Sequence, residues 1–270
     1  MEPITERGEL SKSNKIELLD FIPETLKTDV PVLLIPGWNG TPEIMEESIK
    51  GLVENGRRVL AVDFHGYAKD ESSIVNSTIQ LDRAEAILNA LAEKKVKELD
   101  VVTHSSGSIS AIYAIALAPK GNFRDIVLDK AAGSIGEDDI FSLSGRYGKA
   151  LLTDLWSIIR RSKDKEKLAR TLKLGSKNFR ENLGSGIQEA ITIVRGSEIF
   201  GLFKELREEK GIRIAIVAGI DDSVFPMKKQ QEFVKAEVID GFLSVKGRHE
   251  HTPGRVVEQL LTAMESNVQF

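Results

Sequence analysis

Residues 99–119 read Leu99-Asp100-Val101-Val102-Thr103-His104-Ser105-Ser106-Gly107-Ser108-Ile109-Ser110-Ala111-Ile112-Tyr113-Ala114-Ile115-Ala116-Leu117-Ala118-Pro119. The opening apolar run predicts a buried strand, and residues 109–118, small and apolar until Pro119, predict a buried helix. Between them the chain must turn within a few residues. A turn that sharp holds a serine in a strained conformation with its hydroxyl exposed, provided that small residues stand two positions before and two after it. Around Ser105 those positions are Thr103 and Gly107; Gly107 meets the demand fully, and the β-branched Thr103 in part. Centring the turn on Ser106 would put His104 at the small position, which is worse. The rival stretch Ala132-Gly133-Ser134-Ile135-Gly136 also flanks a serine with small residues, but Glu137, Asp138 and Asp139 follow it. Those charges cannot begin a buried helix cheaply, so Ser105 is the candidate nucleophile.

Outward from this turn, short apolar runs alternate with helical patterns, which predicts an α/β fold with a mostly parallel central sheet flanked by helices. The expected strands are 32–35, 59–62, 99–102, 126–128, 212–218 and 236–245. Most are continuous Val, Ile and Leu, as in strands covered on both faces. Leu81, Ala84, Leu88 and Leu91 recur at helical spacing, as do Val256, Val257, Leu260, Leu261 and Met264. Residues 15–22, ahead of the first parallel strand, suggest an edge hairpin. No strand pattern occurs between about 136 and 208, a connection far longer than the usual few residues. The expectation is therefore a core of residues 1–135 and 209–270, with 136–208 inserted as a helical cap. Its basic segment, 160–180, reads as a solvated helix face.

Composition narrows the function classes. The 270 residues are long enough for a sizeable core, and 37 basic against 41 acidic residues, net −4, imply no general attraction to nucleic acid. Zero cysteines exclude disulfides, thiol nucleophiles and Cys-ligated zinc. No leader pattern or membrane-spanning run is evident, so a cytoplasmic location is expected.

A serine hydroxyl needs a base to take its proton, usually histidine, and the chain has four. His104 adjoins Ser105 in the turn and cannot also reach across to it. His65, in Asp63-Phe64-His65-Gly66, reads as a loop residue. Gly247-Arg248-His249-Glu250-His251 follows the last strand and offers His249 or His251. A carboxylate must orient the imidazole, and Gly219-Ile220-Asp221-Asp222-Ser223-Val224-Phe225-Pro226 delivers one from the end of 212–218, where open α/β sheets gather their ligands. Asp222 is the candidate, Asp221 a turn residue, and Asp129 a weaker substitute. Ile35-Pro36-Gly37-Trp38 ends the first parallel strand; the Trp38 and Ser106 amides are the candidate oxyanion donors. Gly37, which lets the backbone approach closely, and His104 are candidate substrate contacts.

The Pro36-Gly37-Trp38 loop, the Asp63-Phe64-His65-Gly66 turn, the elbow at Ser105, the acid loop at Asp222 and the His249 loop occur in the order found in the α/β-hydrolase fold superfamily, which the chain resembles. The resemblance places the base at His249. It implies a Ser-His-Asp hydrolase with a helical cap, acting without metal or cofactor on a small-molecule acyl substrate, usually a carboxylic ester. Members that dehalogenate or open epoxides use an aspartate nucleophile, so Ser105 counts against those activities. Other expectations are a non-catalytic binding protein on this scaffold, a carbon–carbon bond hydrolase, and a metal-dependent hydrolase using His249 and His251 with Asp63, His65 or Asp222.

Overall fold

The computed structural model describes residues 16–37, 41–64, 79–133 and 199–266, together with Arg146 and Ile193. Seven strands form one sheet: β1 (Glu17–Phe21), β2 (Val32–Ile35), β3 (Val59–Asp63), β4 (Leu99–His104), β5 (Phe123–Asp129), β6 (Arg213–Gly219) and β7 (Gly241–Val245). They lie in the order β1-β3-β2-β4-β5-β6-β7. Only β1 runs antiparallel, along the outer edge of β3, and all other pairings are parallel. The α/β architecture read from the sequence is thus the observed one.

Six α-helices are described, α1 (Glu46–Glu54), α2 (Ile79–Glu93), α3 (Gly107–Leu117), α4 (Phe200–Glu205), α5 (Met227–Lys235) and α6 (Gly254–Glu265), with a π-helical turn, Leu206–Lys210, continuing α4. The strands feed two cores because successive side chains point to opposite faces. Leu33, Ile35, Leu60, Leu128 and Ile216 pack with Ile109, Ile112 and Ile115 of α3. Val32, Leu34, Val59, Val127 and Val217 pack with α1 and with Val257, Leu260 and Leu261 of α6. Among the described residues no helix is long and apolar enough to cross a membrane.

Two expectations are corrected. The segment expected to form a hairpin at 15–22 holds the single strand β1, whose partner is β3 rather than the next strand in the chain. The last strand begins at Gly241, not at 236. Residues before it turn, with Glu237 at φ 55°, and Asp240 accepts the Ile214 N–H at 2.8 Å and a forked pair of bonds from Arg207. Most of the expected cap, 136–208, lies outside the described residues. Within that span the structure describes Ile193, buried in the α3 core, residues 199–208, which are helical, and Arg146, whose Nε donates to the Val224 carbonyl at 2.9 Å.

At the amino-terminal edge of the sheet lies a network of charges. Arg57 is wholly buried and donates to Glu258 and Glu265 of α6, each at 2.7 Å, and reaches Asp100 of β4 at 3.4 Å. Arg124 of β5 donates to Asp100 through two nitrogens. The network ties α6 to β4, to β5 and to the turn that leads into β3. Removing one partner of a buried ion pair leaves the others desolvated without compensation, typically costing about 3–5 kcal/mol. Arg57→Met is expected to lower the unfolding free energy by that amount in urea at neutral pH, and a loss below about 1 kcal/mol would deny the network this role.

Candidate active site

The carboxyl ends of β4, β6 and β7 lie at the opposite edge, and each is followed by one of the three candidate residues. Ser105, immediately after β4, has φ 51°, a left-handed conformation unusual for a residue with a side chain. The turn is over-determined by its hydrogen bonds. The Ser105 N–H donates to the Asp129 carbonyl at 3.1 Å, and the Ser105 carbonyl accepts from the Ser108 and Ala132 amides and from Ser108 Oγ at 2.7 Å. Such fixing is what lets a strained residue persist.

The small residues around the turn have definite work. A Cβ on Gly107 would sit 2.4 Å from the Pro36 carbonyl oxygen, and one on Gly37 would sit 2.8 Å from Ser105 Cβ. Both glycines let the Pro36 loop and the turn meet backbone to backbone. Thr103 is fully buried opposite Ile35, and among the described residues its hydroxyl has no hydrogen-bond partner.

Asp222 stands just beyond β6. Its Oδ1 accepts the Val224 and Phe225 amides at 2.8 and 3.0 Å, an Asx-type turn that aims Oδ2 outward. Oδ2 lies 2.9 Å from His249 Nδ1, and His249 Nε2 lies 3.0 Å from Ser105 Oγ. Because a carboxylate only accepts, Nδ1 carries the proton and the Nε2 lone pair faces the serine hydroxyl. The loops can approach because position 219 is glycine: a Cβ there would meet the Arg248 carbonyl at 2.7 Å. Phe225, fully buried, packs its ring 5.2 Å from the imidazole. Asp221 is exposed.

Of the remaining expected residues, Ser106 stands at the position before the first residue of α3, where helix amides present partial positive charge. Trp38, His65 and Ser134 lie outside the described residues. His104 is buried beside the site: its Nε2–H donates to the His249 carbonyl at 3.1 Å, and its ring lies 4.9 Å from that of His249 and 3.8 Å from that of His251. His251 thus packs against His104, and among the described residues His249 and His251 share no three-ligand group with Asp63 or Asp222. Among the described residues one other group places three potential ligand atoms within 4.8 Å, namely His104, Asp129 and His251. The Lys130 ammonium, 3.1 Å from Asp129, already neutralises that carboxylate.

Asp129, Lys130 and Thr252 were not expected to act together. Asp129 serves Lys130 and Thr252 rather than an imidazole. The available signal was an Asp-Lys pair directly after an apolar strand and a threonine just past the histidines.

A family model described as the alpha/beta hydrolase fold matches residues 30–147. A candidate non-heme haloperoxidase of Mycobacterium phage D29 is 27% identical over 116 residues, a stretch covering 43% of this chain and only 41% of that protein. Among solved structures, a candidate non-heme bromoperoxidase from Mycobacterium tuberculosis aligns at 16% identity over 94% of this chain and 96% of its own, with a TM-score of 0.63. An esterase from Exiguobacterium antarcticum gives 17% identity, 93% and 95% coverage, and a TM-score of 0.63.

The chain has the α/β-hydrolase fold, and residues 30–147 match the model of that family. In this hydrolase fold burial acts on His104 and His251 beside the site. Burial, then the neighbouring His251, His249 and Lys130, hold His104 well below the ordinary histidine value. Burial, opposed by Asp129 and reinforced by Lys130 and His249, lowers His251 to about 4. A folded value below the unfolded one means that the unfolded chain takes the proton first. The resulting stability is present above about pH 6.5 and is lost as pH falls toward 4, a decrement on the order of 3 kcal/mol from His251. The urea-unfolding free energy of the wild type is expected to fall more steeply between pH 7 and 4 than that of His251→Gln; equal slopes would contradict the assignment.

Proposed function

We propose that the chain is a serine hydrolase that cleaves a carboxylic ester or related acyl substrate through Ser105, His249 and Asp222. The continuous hydrogen-bond chain from Ser105 Oγ through His249 to Asp222, with contacts of 3.0 and 2.9 Å, carries this reading. The esterase among the structural neighbours supports the choice of substrate.

In the proposed reaction Ser105 Oγ attacks the substrate carbonyl carbon while its proton passes to His249 Nε2. Asp222 keeps Nδ1–H in place and stabilises the imidazolium. The carbonyl oxygen becomes an oxyanion, held by the Ser106 amide at the start of α3 and the Trp38 amide, each donor worth about 3–4 kcal/mol of barrier. The imidazolium then gives its proton to the leaving alcohol as the carbon–oxygen bond breaks, leaving an acyl-serine. Water, deprotonated by His249, attacks the acyl carbon, and the acid departs as Ser105 recovers its proton. Gly37 admits the substrate close to the backbone. Aspartate-nucleophile chemistry, such as dehalogenation, is disfavoured by serine at the elbow.

A chain-length series of p-nitrophenyl esters tests activity and pocket depth together. Ser105→Ala is expected to lower kcat by roughly 10⁴–10⁶-fold, and Asp222→Asn by about 10⁴-fold, with both proteins folded. Wild-type turnover in Ser105→Ala would remove the mechanism.

A further inference from the structure

Thr252, three residues beyond His249, sits in a buried polar cluster that the proposed chemistry does not use. Its N–H donates to Asp129 Oδ2 at 2.9 Å, and its hydroxyl donates to Asp129 Oδ1 at 2.7 Å. Lys130 Nζ donates to both the Thr252 hydroxyl, at 2.9 Å, and Asp129 Oδ1, at 3.1 Å. At the other end of the same loop the His249 carbonyl accepts from His104 Nε2 at 3.1 Å. His104 and Asp129 are register partners at the ends of β4 and β5. Two neighbouring strand ends therefore grip the loop at its first carbonyl and its last amide. Beyond the grip, Ser48 Oγ of α1 donates to the Thr252 carbonyl at 2.9 Å, so the segment cannot drift before α6 begins.

We infer that Asp129, Lys130, Thr252 and His104 form a clamp that sets the height of the His249 loop above Ser105, making them positioning residues for the proposed reaction. The inference rests on the serine-hydrolase reading. Lys130 shows that the arrangement is imposed rather than incidental. It is 1% exposed and has φ 47° without being glycine, so it carries both the desolvation of a buried ammonium and the strain of a left-handed backbone. An apolar residue would avoid the first cost. What the charge supplies is a fixed point: Nζ locks the Asp129 carboxylate and the Thr252 hydroxyl into one geometry, while the Lys130 amide extends the sheet by donating to the Val217 carbonyl at 2.8 Å.

The same cluster is a poor cation site despite its three close ligand atoms. Asp129 already accepts three hydrogen bonds, and a divalent ion there would lie beside an ammonium. The neutral imidazoles of His104 and His251 suit the clamp instead, because His104 needs one N–H donor toward His249 and no added charge.

Thr252→Val keeps the branched shape and the backbone amide but removes the hydroxyl that joins Lys130 to Asp129; Thr252→Ser restores it. The acylation rate of Thr252→Val with a p-nitrophenyl ester, measured by stopped flow, is expected to fall roughly 10–100-fold with KM within about threefold, since displacements near 1 Å at a catalytic group have such effects. Thr252→Ser is expected to recover the rate to within about threefold of wild type. The low-field proton resonance of the His249 Nδ1–H is expected to broaden in the valine variant and sharpen again in the serine variant, which a loss of stability alone would not do. Lys130→Met carries the same readouts should Thr252→Val fail to fold. Wild-type acylation in the valine and methionine variants, or a serine variant as slow as the valine one, would overturn the clamp. So would retention of about one zinc ion per chain, abolished in His251→Gln, because a bound cation is incompatible with the Lys130 lock. Failure of the underlying reading has a different signature: Ser105→Ala would then turn over ester whatever residue stands at 252.

Discussion

The hydrogen bond from His249 Nδ1 to the Asp222 carboxylate, 2.9 Å long, is the contact on which the arrangement of the candidate site depends. It fixes the tautomer, and the tautomer decides that the Nε2 lone pair faces Ser105 Oγ. The two residues come from loops after different strands, so the bond forms only if β6 and β7 end side by side. Parallel pairing provides this, with Gly219 opposite Val245, and Gly219 lets the loops touch. The Ser105 turn is delivered to the same edge by β4, two strands from β6. A sheet whose strands from β2 to β7 are all parallel gathers their carboxyl ends by construction, and the local residues then need only aim side chains.

The two edges of the sheet divide the physical work. The amino-terminal edge holds the charge network of Arg57, Arg124, Asp100, Glu258 and Glu265, where buried ions bind the last helix to the sheet. The carboxyl-terminal edge holds the strained and reactive groups. Two of the left-handed non-glycine residues, Ser105 and Lys130, stand there at the ends of adjacent strands. Their backbones are pinned by the sheet itself, through Asp129 and Val217 carbonyls.

Much of this was legible in the sequence because the decisive signals are local. Continuous apolar runs marked the parallel strands, the small-residue frame singled out Ser105, and Asp222 was preferred to Asp221; the structure buries the former and exposes the latter. Two kinds of feature escaped. Strand pairing for β1 is a long-range choice, since the open edge of β3 accepts a segment far away in the chain, and nothing in residues 15–22 announces it. The grip on the His249 loop joins Asp129 and Lys130 to Thr252 across more than a hundred residues, with no periodicity to betray it. Lysine is a residue type mostly found exposed, and only the packing reveals Lys130 as buried. Trp38 and most of the 136–208 segment remain expectations of the sequence.

The central claim is that the oxygen of Ser105 is a nucleophile activated by His249. Peptide mass mapping after reaction with a fluorophosphonate probe tests it most directly. The account requires a single stoichiometric adduct on the peptide bearing Ser105, with labelling slowed by orders of magnitude in His249→Ala. An unlabelled folded protein, or an adduct on another serine that forms at the same rate in that variant, would contradict it.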